Sequence, residues 1–115
     1  MCYSACNATV LISGGEGFCY PHAESLSCGT PVVAGCYSAQ ADMAHISVRS
    51  KASQIVTQHA VKRAIYDHKD VASAIEIAIG QKQGTEGGDL ITSAVEHLHW
   101  PKLGIVWKKW LRKGL

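Results

Sequence analysis

With 115 residues, the chain has room for one domain and one modest core. A hydrophobic content of 47% against 17% charged excludes a disordered polyelectrolyte. A net charge of +2, with no basic stripe along the body, excludes a nucleic-acid binder, and no apolar run reaches the roughly 18 residues of a membrane-spanning helix.

The five cysteines (Cys2, Cys6, Cys19, Cys28 and Cys36) are odd in number and match no zinc spacing. They read as reduced thiols behaving as small hydrophobes, as expected of a cytoplasmic protein without a basic-then-apolar leader. Cys19 stands near a helix start, a position that lowers a thiol pKa. No His–Asn partner pattern supports it as a nucleophile. The positive charge is concentrated at the end: residues 102–113 hold Lys102, Lys108, Lys109, Arg112 and Lys113 and no acid.

In chain order, residues 1–7 read as the end of a helix or a loop. Residues 8–13 are mostly apolar and rich in β-branched side chains, the pattern of a strand buried on both faces of a parallel sheet. The glycine-rich stretch 13–17 is a loop. A helix is expected from near Pro21, a residue tolerated in the first turn, to Cys28. Gly29 supplies a left-handed cap, and Pro31 blocks continuation. Residues 30–35 form a second buried strand, completing a βαβ unit. Shorter strands are predicted at 53–57 and 63–66. Asp67 can cap a helix with Val71, Ala72, Ile75, Ala78 and Ile79 on one stripe. A polar connection follows over 81–88, then an amphipathic helix marked by Leu90, Ile91, Ala94, Val95 and Leu98. Trp100-Pro101 breaks that helix, and a last helix follows. The alternation predicts α/β architecture: a partial Rossmann-like parallel sheet flanked by helices.

In an open parallel sheet, ligands bind beyond the carboxyl ends of the strands, where the loop 13–20 lies. The helix after it aims free N–H groups and a partial positive charge at that crevice, which suits a diphosphate. Glu16, in the loop, can accept two sugar hydroxyls. Glu24, expected in the first helical turn, can accept both ribose hydroxyls. Each carboxylate also has a plain reading: an acid in a first turn complements the macrodipole, and an acid in a glycine loop is often only solvated. His22 reads as a surface or packing residue, because no orienting partner is evident.

The string Ser13-x-x-Glu16-Gly17-Phe18-x-x-Pro21-x-x-Glu24, continuing to Gly29-Thr30-Pro31-Val32-Val33, resembles the donor-site signature of the retaining GT-B glycosyltransferases (group 1, family 4-like). The resemblance is weaker over residues 67–79 and from His99-Trp100 into the final helix. It implies that the chain is the C-terminal part of a nucleotide-sugar donor domain, residues 1–115, with a crossover-type helix at 99–115. It further implies Glu16 as the catalytic candidate and a donor-sugar ligand, together with Gly17, Phe18 and Cys19. Tyr20 would meet the diphosphate and Glu24 the ribose. The nucleotide sugar is the substrate, and no metal or other cofactor is implied. Cys19 departs from the family, which usually has glycine there. Residues 38–42 match its next loop only loosely.

A complete enzyme of this family has two Rossmann-like domains. The acceptor domain and the first half of the donor domain, with its phosphate-gripping Arg and Lys, have no counterpart here. The expectation is a chain that is silent alone: a fragment, a truncated gene, or one half of a split enzyme needing a partner chain. The competing reading is a stand-alone nucleotide or nucleotide-sugar binding module. An exposed sheet edge predicts self-association. Leu103, Val106, Trp107, Trp110 and Leu111, with lysines alongside, offer either a face buried on the domain core or peripheral membrane contact.

Overall fold

The structure, a computed structural model, describes residues 2–56, 61–82 and 95–113. Helix α1 (Cys2–Ala5) leads into strand β1 (Thr9–Leu11), helix α2 (Tyr20–Ser27) and strand β2 (Val32–Gly35). Helix α3 (Ala39–Met43) and strand β3 (Ile46–Val48) follow, then β4 (Ala52–Val56), β5 (Val61–Ile65) and helix α4 (His68–Lys82). A 3₁₀ turn (Glu96–Leu98) and helix α5 (Trp100–Lys113) close the described chain.

The expected α/β class is observed as a three-stranded parallel sheet in the order β1-β2-β3, with Thr9 opposite Val32 and Val33 opposite Ile46. Side chains alternate across a strand, so β2 feeds two cores. Val32 and Ala34 pack with Leu26 of α2 and with Val95. Val33 packs with Val48 and with Ala74 and Ala78 of α4. A strand buried on both faces needs an unbroken apolar run, which Val32-Val33-Ala34 supplies.

Helix α2 ends as the sequence dictates. Gly29 sits at φ 69°, its amide bonds the Leu26 carbonyl, and the Thr30 amide reaches back to Ser25, which closes a Schellman motif. Thr30 is fully buried and ties three helices together. Its hydroxyl lies 2.7 Å from the Tyr3 carbonyl of α1 and receives Lys82 Nζ of α4 at 3.1 Å, while its carbonyl faces Ser25 Oγ of α2. Asp67 caps α4 as expected: Oδ1 accepts the Lys69 amide and Oδ2 meets Lys51 Nζ at 3.0 Å. These contacts, the Lys69 amide first, hold its carboxyl below the ordinary range.

Several expectations need correction. β1 is an edge strand, not one buried on both faces, and Val10 is 42% exposed. The short strands expected at 53–57 and 63–66 are present as β4 and β5, shifted by one or two residues, and they pair antiparallel in a sheet of their own; Ser53 faces Ala64. α4 buries Ala74 and Ala78, with Val71 and Ile75 beside them, while Ala72 faces solvent. α3 and β3, both short, had not been anticipated. The helix drawn through Leu90, Ile91 and Ala94 lies outside the described residues, but Val95 and Leu98 do pack against the α2 side of the sheet. All five cysteines are free. Among the described residues, no helix is long and apolar enough to cross a membrane.

Candidate functional site

The segment between β1 and α2 leaves the carboxyl end of β1 as a glycine-bearing loop and enters the helix through Cys19, which has φ 69° and ψ 60°. A left-handed conformation costs a residue with a Cβ about 1–2 kcal/mol. The Cys19 thiol is buried, and burial, then the nearby Glu16 carboxylate, raise its pKa. That direction is opposite to the one a helix-start nucleophile needs.

No acceptor among the described residues takes the backbone amides of Gly17, Phe18, Cys19 or Tyr20. In the first turn of α2, Pro21 has no amide to donate, and the His22 amide bonds the Cys19 carbonyl. Gly17, Phe18 and Tyr20 are exposed and Cys19 is buried, and unbonded amides ahead of a helix are groups that an anion can satisfy. Phe18 and Tyr20 are exposed beside it, their rings 4.9 Å apart at 56°.

The loop is held from beneath and from the side. Gln40 of α3 is fully buried and bonds Ser13 and the Gly35 amide, joining the ends of β1 and β2. Ser38 donates its hydroxyl to the Glu16 carbonyl at 2.7 Å. Ser38 itself has φ 57° and ψ −155°, a region otherwise almost restricted to glycine. The β4–β5 hairpin comes in from the other flank: the Ala64 amide bonds the Gly14 carbonyl at 3.1 Å, and the Tyr37 hydroxyl bonds the Lys62 carbonyl. The aliphatic stem of Arg63 lies directly on Gly14. A basic residue is therefore packed against the start of the loop, in a chain whose sequence had offered no Lys or Arg before Arg49.

Glu16, Gly17, Phe18 and Cys19 lie in one loop, and Tyr20 opens the helix that follows it. Glu16 is half-buried, and its carboxylate is close enough to act on both Cys19 and His22. Glu24 is the fifth helical residue, beyond the first turn where the sequence had put it. It is exposed, and Oε2 accepts the Tyr3 hydroxyl at 2.9 Å, which raises the Tyr3 pKa. Glu24 lines a cavity of about 450 Å³ with Tyr3, Ala23, Ser27 and Cys28, and no loop residue borders that cavity.

His22 is a packing residue. It is wholly buried, as are Ser25 and Leu26, and among the described residues neither ring nitrogen makes a well-formed hydrogen bond, although the Leu11 carbonyl lies near enough to act on the ring. Burial lowers its pKa, and the Leu11 carbonyl and Glu16 carboxylate oppose that only in part. Gln40, Ser38 and Arg63 went unassigned in the sequence. A buried glutamine carries no mark distinguishing it from an exposed one, and Arg63 reaches the loop only through the hairpin. Among the described residues, no three His, Cys, Asp or Glu side chains are grouped to hold a metal ion. No known family model matches the sequence, and neither a curated protein nor a solved structure matches it significantly.

Proposed function

We propose that this chain binds the nucleotide-sugar donor of a retaining glycosyltransferase at the loop between β1 and α2. One observation carries the reading: four consecutive free amides, from Gly17 to Tyr20, stand beyond a parallel strand and open onto a helix N-terminus. The signature from Ser13 to Val33 supplies the identity of the guest. The diphosphate rests at the Tyr20 amide. Arg63 contributes the cation on the phosphate side. Glu16 accepts hydroxyls of the donor sugar, aided by the amides of Gly17, Phe18 and Cys19. Glu24 takes the ribose with the carboxylate oxygen that Tyr3 leaves free.

Sugar transfer also needs an acceptor site, and a unit of three parallel strands around one loop offers only the donor side. The chain by itself is therefore expected to bind donor without turnover. A stand-alone binding module for the same ligand is the second reading, favoured by the compact way Gln40, Ser38 and the hairpin brace the loop without help from another chain.

Calorimetric titration tests the proposal, using uridine, guanosine and adenosine diphosphates and their hexose conjugates. At least one conjugate should bind more tightly than its bare diphosphate. Glu16→Gln should remove that difference and leave the bare diphosphate unaffected. Arg63→Gln should weaken both by about tenfold, the worth of one charge-assisted contact. No heat with any of them at millimolar concentration overturns the reading. Transfer activity on adding a partner chain would favour the enzyme over the module.

A further inference from the structure

We infer that α5 is an interfacial helix that lays its tryptophan face into a membrane surface bearing anionic phospholipid headgroups. The inference stands apart from the donor site and uses none of its residues.

At 100° per residue, Trp100, Leu103, Val106, Trp107, Trp110 and Leu111 fall on one arc of α5. Lys102, Lys108, Lys109 and Arg112 fall on the opposite arc, with Lys113 following them. Residues 100–113 contain no acid. The sequence had allowed that this face packs on the domain core, and the structure overturns that: Trp100, Trp107 and Trp110 are 78%, 56% and 69% exposed. Trp107 and Trp110 meet edge-on at 6.3 Å and, with Val106, frame an apolar notch of about 290 Å³. The helix leans on the rest of the molecule through the 3₁₀ turn, where Lys102 Nζ pairs with Glu96 at 2.7 Å. Lys108, Lys109 and Arg112 have no carboxylate partner among the described residues.

The charge pattern selects the occupant. A second copy of this helix could cover the apolar face, but it would leave the cationic arc without a counter-charge, which an anionic surface supplies. A lipid surface asks for what α5 has: a broad apolar face rich in tryptophan and, opposite it, an arc whose charges are all positive although Ile105 interrupts them. Anionic headgroups complement each exposed Lys or Arg, and salt weakens that attraction.

The chain's three tryptophans all lie in α5, so their emission reports on this helix alone. The full chain is mixed with phosphatidylcholine vesicles, with and without phosphatidylglycerol. The expected result is a blue shift and co-sedimentation on the anionic vesicles, fading as salt rises, with little on the neutral ones. Reversing Lys108, Lys109 and Arg112 to Glu should weaken binding at least about tenfold, and Trp107→Ser with Trp110→Ser should abolish it. Circular dichroism checks that each variant folds, and the salt titration of the unaltered chain stands if one does not. Equal binding to neutral vesicles, or none to either, overturns the inference. So does an emission shift that follows protein concentration without lipid, which would make a second copy the occupant.

Discussion

The fully buried carboxamide of Gln40 grips Ser13 on three atoms: Nε2 donates to the Ser13 carbonyl at 3.1 Å and to Oγ at 2.7 Å, and Oε1 receives the Ser13 amide at 3.4 Å. The same Oε1 receives the Gly35 amide at 3.2 Å. One side chain thus ties together the ends of two parallel strands at the point where the glycine loop begins. Gln40→Leu keeps the volume but orphans these groups, and a buried unsatisfied group costs about 1–3 kcal/mol. Urea unfolding should show a loss of about 2–4 kcal/mol, because more than one group loses its partner. Hydrogen exchange should quicken first at residues 13–17, the part of the loop that Gln40 anchors.

Cys19 enters α2 from the left-handed region, yet its side chain is buried and packed. Two substitutions separate those effects. Cys19→Ala and Cys19→Gly both remove the thiol, but only glycine relieves the backbone. The glycine variant should be more stable than the alanine variant by about 1 kcal/mol, the left-handed penalty less the extra entropy of glycine in the unfolded chain. Thermal melts of the two variants, measured together, check the sign. Equal melting temperatures would mean that the loop relaxes without cost.

The βαβ unit was legible because punctuation brackets it. Pro21, Gly29 and Pro31 fix where α2 starts and stops, and Val32-Val33-Ala34 admits only a strand covered on both sides. Asp67 announced α4 for the same reason, through a side chain bonding its own backbone. What was not legible depends on chain-distant contact. Alanines carry little weight in a hydrophobic pattern, so the stripe of α4 could be drawn through Ala72 when Ala74 is the buried one. β3 is three residues long and owes its existence to β2. Glu16, Gly17, Phe18, Cys19 and Tyr20 are adjacent in sequence, so their grouping followed from the motif. Gln40, Tyr37 and Arg63 join that group only after α3 and the hairpin have folded against the loop.

Gly35 and Tyr66 form a second pair visible only in three dimensions. A Cβ built on Gly35 would fall inside the Tyr66 hydroxyl, while that buried hydroxyl has no hydrogen-bond partner. Gly35→Ala should therefore destabilise by about 1–3 kcal/mol, the usual cost of overpacking. Tyr66→Phe removes only an unpaired polar atom and should be neutral or stabilising. Combined, the two should cost only a little less than their sum, because the phenyl ring keeps the Cζ and Cε1 atoms that also crowd the new methyl. A double-mutant cycle by urea denaturation measures that coupling. Strict additivity would show that Tyr66 swings away from Gly35 freely.

His22 contributes to the response to acid. Its folded-state pKa is pushed below the ordinary 6.5 by burial, and neither ring nitrogen makes a well-formed hydrogen bond among the described residues. His45 is shifted the same way by the same cause. A lowered histidine pKa means that the unfolded chain takes up the proton first. Stability from this source is complete above about pH 6.5 and falls as pH drops below that value, until the folded state can also be protonated. Urea midpoints should therefore fall between pH 7.5 and 5.5. His22→Phe, close in size and without the orphaned nitrogens, should gain about 1 kcal/mol at neutral pH and flatten the acid slope. His45 contributes to the slope that remains, which should shrink further in the double variant. If His22→Phe left the slope unchanged, the ring would have to reach a proton donor or acceptor that relieves its burial, and the buried surroundings of His22 would have to open to provide one.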